Sequence, residues 1–153
     1  MERVDLKKNG SSEFGGTDQP NFIGSWDIRN DDLCKQIITF FEENKILQGK
    51  GTTGLGIDLA KKKTTDMAIN PIDLKNEKYK CFDTYIAELH KCFADYQHQW
   101  PFMKSILKDV DIGSFNVQKY SKGDHFSGVH SERTSPQHSL RLFAWMTYLN
   151  DVD

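Results

Sequence analysis

The chain has 153 residues, enough for one ordinary domain, with 37% apolar and 27% charged residues and a formal net charge of −2. This near-neutral balance argues against a nucleic-acid binder or a binder of acidic membranes, because both need a basic surface. No apolar run approaches the ~20 residues that cross a bilayer, and the N-terminal residues lack the apolar stretch of a secretory signal.

The first part of the chain predicts a leader, a strand and a helix. Residues 1–20 are rich in Gly, Ser, Asp and Lys and predict a flexible leader. Residues 22–28 suit a strand, and Asn30 with the two aspartates after it suits a helix start. Apolar residues at helical spacing then predict an amphipathic helix over 31–47. They are Leu33, Ile37, Phe40 and Phe41.

A loop, a charged run and a second helix follow. Gly49–Gly56 reads as a mobile loop, and the short run Lys61–Lys63 as a solvated face. A short strand is expected over 66–72, where Pro71 interrupts it. Aromatic and aliphatic residues at a spacing of three to four then predict a long helix over 79–96, stopped by Pro101.

From Gly113 onward the sequence predicts strands. Residues 114–120, 125–132 and 139–150 are rich in β-branched and aromatic residues and are separated by turn-forming segments. Helices first and strands afterwards is the order of an α+β fold. We expect a helical layer over 30–110 that packs on one face of a largely antiparallel β-structure over 113–153.

Cysteines and histidines offer only weak metal signals. Cys34, Cys81 and Cys92 contain no C-x-x-C pair and fit no even disulfide set, which favours reduced thiols in a cytoplasmic protein over a zinc site. His125 and His138 lie near His130 in sequence, but no spacing among the three matches a known zinc pattern.

The candidate site is His130-Ser131-Glu132. In an extended segment, residues i and i+2 project from the same face, so the imidazole and the carboxylate can share one ion. They would supply two-thirds of the facial triad that holds mononuclear iron(II) and leaves positions open. Chance alone gives roughly one such pair in a chain with five histidines and 22 acidic residues, so the pair is weak by itself.

The surrounding order of motifs is more specific. The segment 115–120 ends in Tyr120 and is followed by a glycine-containing turn, and His130 comes ten residues after that tyrosine. After a variable loop comes Arg141, and then Tyr148-Leu149-Asn150-Asp151. This arrangement resembles the prolyl 4-hydroxylase-like family of 2-oxoglutarate- and iron(II)-dependent oxygenases, strongly over the last 40 or so residues and more loosely upstream.

The resemblance implies a fold and a role for five residues. The fold would be the first part of a double-stranded β-helix, or jelly roll, with N-terminal supporting helices. His130 and Glu132 would be the first two iron ligands, Tyr148 would bind the distal carboxylate of 2-oxoglutarate, and Tyr120 would border that co-substrate. Arg141 would lie at the mouth of the site, near the substrate.

The resemblance also implies an activity that this stretch alone does not complete. The family uses iron(II), 2-oxoglutarate and O₂, with ascorbate as a reductant, to hydroxylate a prolyl or other peptide or protein residue. Its second histidine ligand and a basic 2-oxoglutarate anchor would fall beyond Asp153. We therefore expect an N-terminal portion of a longer oxygenase, inactive alone. The alternatives are a catalytically inactive half-barrel binding module and a cupin-like enzyme with another metal.

Simpler interpretations stand beside these roles. Tyr120 and Tyr148 could be ordinary strand tyrosines, and Arg141 could be a surface partner of Asp151 or Asp153. The family usually has Asp where this chain has Glu132, and the extra carbon moves the carboxylate about 1.5 Å outward.

Strand alternation gives a separate expectation for the last predicted strand. If Tyr148 points into a barrel, Ala144 and Met146 point the same way. Phe143, Trp145 and Thr147 then point outward, where a helical layer can cover them.

Overall fold

The computed structural model describes residues 1–4, 22–107, 110–133 and 135–151. Their architecture is mixed α+β, as the sequence predicts, with small antiparallel sheets that do not close into a barrel in this part of the chain. Most of the predicted leader lies outside the described residues. None of the helices in the described ranges is long and apolar enough to cross a membrane.

Two helices form the helical layer. Helix α1 spans Asp31–Glu43, and the side chain of Asn30 caps it by accepting a 3.1 Å hydrogen bond from the Leu33 amide. The helix ends four residues before the predicted boundary, because the chain turns into a 3₁₀ segment at Lys45–Leu47. Helix α2 spans Lys80–Gln99, close to the predicted limits.

Shorter helical segments surround α2. Two 3₁₀ turns, Pro71–Lys75 and Glu77–Tyr79, lead into it, and the one-turn helix α3, Met103–Ile106, follows Pro101. A further 3₁₀ turn covers Pro136–His138.

The described strands pair into three antiparallel sheets. In chain order the strands are β1 (Glu2–Arg3), β2 (Trp26–Asp27), β3 (Gln48–Lys50), β4 (Lys62–Lys63), β5 (Thr65–Ile69), β6 (Phe115–Lys119) and β7 (His125–Phe126). Strand β5 is central in the order β3-β5-β6, while β1 pairs with β2 and β4 pairs with β7. The segment predicted as a mobile loop over Gly49–Gly56 therefore begins in a strand.

Strands β6 and β7 lie along one stretch of chain. Thr65 pairs with Lys119 and Lys63 pairs with His125, so both strands run antiparallel to residues 62–69. The turn predicted after Tyr120 is present. It lies between β6 and β7, so residues 120–124 bulge out opposite the single residue Thr64. Gly123 adopts φ +84 in this turn, a conformation that favours glycine.

The strand predicted over 139–150 is wrong as a paired strand, because these residues pair with no other described strand. The predicted alternation between two sides is confirmed, but the side of Ala144, Met146 and Tyr148, which was expected to face a barrel interior, is exposed. Phe143 and Trp145 pack on aromatic rings of α2 and β6, and the Thr147 hydroxyl bonds a tyrosine of α2, while Met146 and Tyr148 face outward and are 77% and 66% exposed.

The core lies between the two helices and the central strand. Its most buried large side chains are Phe82 of α2 and Met67 and Ile69 of β5, each with no exposed surface. The other buried members are Leu33, Ile37, Phe40 and Phe41 of α1 and Tyr85 of α2. Phe82 packs edge-on against Phe40, with ring centroids 5.0 Å apart, which joins α2 to α1.

Candidate functional site

The structure brings His130 and Glu132 together. The Nε2 atom of His130 lies 3.3 Å from Oε1 of Glu132, and both side chains are 48% exposed. The strand predicted over 125–132 ends at Phe126, so the pair lies in irregular backbone just beyond β7. The two side chains nevertheless point to the same side, as the i, i+2 spacing predicts.

The imidazole of His130 is oriented by its other nitrogen. Nδ1 lies 2.9 Å from the carbonyl oxygen of Gly128. Because a carbonyl can only accept, Nδ1 carries the proton and donates it, which leaves the lone pair of a neutral imidazole on Nε2. The ring also stacks on Phe126, with centroids 4.7 Å apart and a 31° tilt. His130 is therefore fixed in the tautomer that binds metals through Nε2.

The spacing of the two donor atoms suits one small metal ion. Two ligand atoms about 2.1 Å from an ion, at a right angle, are about 3.0 Å apart. The observed 3.3 Å between Nε2 and Oε1 is close to that value. Without an ion, the same distance also fits a hydrogen bond from a protonated imidazole. Among the residues that the structure describes, no third His, Cys, Asp or Glu completes a group of three.

Arg141 contacts the other carboxylate oxygen of Glu132. Its Nη1 donates to Oε2 across 3.0 Å, and its side chain is 45% exposed. The partner of this arginine in the described part of the chain is therefore the predicted ligand rather than Asp151. Asp153 lies outside the described residues.

A second arginine closes the loop between these residues. Nε and Nη2 of Arg133 both donate to the carbonyl oxygen of Ser139, across 3.0 and 2.6 Å. This fork brings the start of the loop to its end, which places Arg141 beside Glu132.

The two predicted co-substrate tyrosines are both exposed, Tyr120 by 47% and Tyr148 by 66%. The Tyr120 hydroxyl donates a long 3.4 Å bond to Oε1 of Gln118. Burial, followed by the charges of Asp66 and Tyr148, raises the pKa of the Tyr120 hydroxyl. No hydrogen bond within the described ranges joins either tyrosine to His130 or Glu132.

Sequence reasoning missed a buried polar network. Lys62 is only 4% exposed, and its ammonium lies 2.7 Å from Oδ2 of Asp66. Oδ1 of Asp66 accepts from Thr64 across 2.6 Å, and Oδ2 also accepts from Gln118 across 3.1 Å. The solvated-face prediction for the lysine run is therefore wrong for Lys62. The alternation of Lys62, Thr64 and Asp66 along an extended segment could have indicated their shared face.

A close backbone approach and an aromatic ring connect this network to its surroundings. A Cβ on Gly51 would lie 2.0 Å from the Thr64 hydroxyl, so only glycine fits beside the network. The Lys62 ammonium lies 5.4 Å from the centre of the Phe126 ring, whose stacking on His130 joins the network to the His130–Glu132 pair.

No protein-family model, curated protein or solved structure matches this chain. A cleft of about 560 Å³ along α1 shares no residue with the candidate site, and its lining contains no histidine.

Proposed function

We propose that this chain contributes the first iron ligands of a 2-oxoglutarate- and iron(II)-dependent dioxygenase that hydroxylates a C–H bond of a prolyl or other peptide or protein residue. The observation that carries the proposal is the convergence of His130 Nε2 and Glu132 Oε1 at 3.3 Å, with Nδ1 held by the Gly128 carbonyl. The order of motifs from Tyr120 to Asp151 supports the oxygenase family over other metal chemistry.

In the proposed reaction, 2-oxoglutarate, O₂ and R–H give succinate, CO₂ and R–OH, so one oxygen atom enters succinate and one enters the product. Iron(II), when bound, supplies the redox chemistry of O₂ activation. The residues of this chain would hold the ion and orient its partners. His130 and Glu132 would ligate the ion on one side and leave its other positions open.

Tyr148 and Tyr120 are the proposed co-substrate contacts. A phenolic hydroxyl can donate to a carboxylate oxygen, and both hydroxyls are accessible, at 66% and 47% residue exposure. Tyr148 lies on the face of its segment opposite the one that rests on α2. This is the side that would face a jelly-roll interior if α1 and α2 are the supporting layer. We further propose a cytoplasmic setting and ascorbate as the reductant.

Metal binding by the 153-residue chain tests the proposal directly. Under anaerobic conditions we expect weak, saturable Fe(II) or Co(II) binding, measured by calorimetry, because two ligands from one chain make a weak site. His130→Ala and Glu132→Ala should each abolish it, and His98→Ala, which removes an exposed histidine of α2, should not change it. Equal affinity in all four proteins would sink the proposal.

If the chain binds metal, binding of 2-oxoglutarate then tests the proposed family. With Fe(II) bound, 2-oxoglutarate should produce a visible absorption band that neither compound gives with the protein alone. Tyr148→Phe should raise the 2-oxoglutarate concentration needed for half of the band, because one hydrogen bond to the distal carboxylate is lost. Metal binding with no effect of 2-oxoglutarate would assign the site to different metal chemistry.

A binding module is the second candidate, and the exposure of the pair favours it. Side chains that remain 48% exposed do not exclude water from an ion, as an oxygenase site does around its reactive centre. Oxygen-dependent formation of succinate from 2-oxoglutarate, assayed on the full-length protein, separates the two functions, since a module that only holds a metal forms none.

A further inference from the structure

The carboxylate of Glu132 has two oxygens with different partners. Oε1 faces His130 at 3.3 Å, and Oε2 accepts from Arg141 Nη1 at 3.0 Å. A carboxylate held in this way offers one oxygen to an ion and keeps the other occupied. A charge-assisted bond from a guanidinium to a carboxylate is also among the more directional hydrogen bonds of proteins.

From this contact we infer that Arg141 is a positioning residue, which holds Glu132 so that the carboxylate binds metal through Oε1 alone. The inference rests on the proposed function, because it needs His130 and Glu132 to be ligands. The sequence predicted that Arg141 contacts the substrate. In this inference Arg141 instead hydrogen-bonds Glu132, a metal ligand, and does not touch the ion.

The longer side chain of glutamate explains why its carboxylate needs this contact. Glutamate has one more rotatable bond than aspartate and about 1.5 Å more reach, so its carboxylate samples more positions. Since the carboxylate of Glu132 is half exposed, packing alone does not choose among these positions. The guanidinium of Arg141 selects the position in which Oε1 lies beside Nε2, and the Arg133 fork to Ser139 holds the loop that carries it.

The charge of Arg141 has the opposite effect on an ion. A guanidinium repels a dication, whereas a hydrogen bond to a ligand strengthens metal binding, and loss of such outer partners typically weakens metal affinity about 10- to 100-fold. We expect the positioning effect to dominate, because both side chains are half exposed and water screens the longer-range repulsion.

The test compares Arg141→Met with wild type, using Co(II) as the probe and the 153-residue chain. We expect at least a tenfold loss of Co(II) affinity and weaker visible cobalt bands at saturation, because a freed carboxylate binds through both oxygens and raises the coordination number. Arg141→Lys, which keeps the charge, should recover part of the affinity. Lys122→Met, which removes an exposed charge from the turn after β6, should resemble wild type.

A double-mutant cycle identifies Glu132 as the residue through which Arg141 acts. In a Glu132→Asp background, Arg141→Met should change Co(II) affinity less than about threefold, since the shorter carboxylate no longer reaches the guanidinium. An unchanged or higher affinity for Arg141→Met in the wild-type background, or an equal loss in both backgrounds, would overturn the positioning role while leaving the metal site standing. Absence of Co(II) binding by wild type, or binding unaffected by His130→Ala, would overturn both.

Discussion

The helical layer and the candidate site are built by different physics. Around Phe82 the chain buries large apolar side chains from α1, α2 and β5, and the position of each is set by its neighbours. Around His130 the chain follows irregular backbone, and its side chains are half exposed and held by single polar contacts. Packing therefore specifies the first region, while a few hydrogen bonds specify the second.

The segment 142–149 combines packed and exposed side chains within a few residues. Its odd-numbered side chains pack on α2, on β6 and on the core, and its even-numbered ones face outward without contacts of that kind. Its backbone forms no hydrogen bonds with other described residues, so side-chain contacts hold it, including the hydroxyl bond between Thr147 and Tyr85. A region held in this way opens locally at a lower free energy than the core.

The largest expected effect lies in the helical layer. Phe82→Ala should lower the free energy of unfolding by about 3–5 kcal/mol, because it removes a fully buried ring and leaves a cavity. Phe143→Ala, at a ring that is 36% exposed and touches Phe93 and Tyr96, should cost only about 1 kcal/mol. Urea unfolding measures both, and similar costs would contradict the difference in packing between the core and the segment 142–149.

The next largest effect concerns the polar network of Lys62, Thr64 and Asp66 beside the candidate site. Lys62→Met should cost about 3 kcal/mol in urea unfolding, because it leaves the carboxylate of Asp66 buried without its cation. Lys61→Met is the matched control, since the neighbouring lysine pairs with Asp58 at the surface and should contribute less than about 1 kcal/mol. If the two substitutions cost the same, Lys62 is solvated after all, as the sequence reading had it.

These two regions also differ in how far the sequence predicts them. Helical periodicity located α1 and α2, since burial of one face leaves a regular apolar pattern that is independent of the partner. The Asn30 cap was predictable because its signal is local. Strand pairing was harder: paired residues of β5 and β6 are 46 or more positions apart in the sequence, and nothing in either segment encodes that distance.

The candidate site was predictable as a pair and not as a network. The i, i+2 spacing predicts a shared side for His130 and Glu132 in an extended segment, and the structure brings the two side chains to 3.3 Å in irregular backbone. The contacts of Glu132 with Arg141 and of Lys62 with Phe126 depend on a loop and on a strand pairing, which no local pattern determines.

A smaller effect tests how the segment 142–149 is docked. The hydroxyls of Tyr85 and Thr147 lie 2.6 Å apart, and Tyr85 is buried. Thr147→Val keeps the shape and removes the hydroxyl, which should cost about 1 kcal/mol in urea unfolding. Cleavage by chymotrypsin within 142–149, after Phe143, Trp145 or Tyr148, should accelerate more than cleavage within α2, because the segment has few other attachments. Equal acceleration in both would mean that this segment opens only with the core.

The smallest effect is a pH dependence at the junction of β2 and α2. The indole of Trp26 donates to Oδ2 of Asp95 across 2.8 Å, and this bond, followed by one from Gln99, holds the pKa of Asp95 below its ordinary value. A lowered pKa means that the bond stabilises the fold above the unfolded pKa of about 3.9 and that this contribution is lost as the pH falls through the folded value. Trp26→Phe should therefore destabilise the protein at pH 6, and the difference from wild type should shrink towards pH 3. Because the carboxylate is largely solvated, the change should be small, and urea unfolding at both pH values measures it.

A difference that stays constant with pH would show that Trp26 acts here through the packing of its ring, which stacks edge-on with Tyr96, and not through the carboxylate.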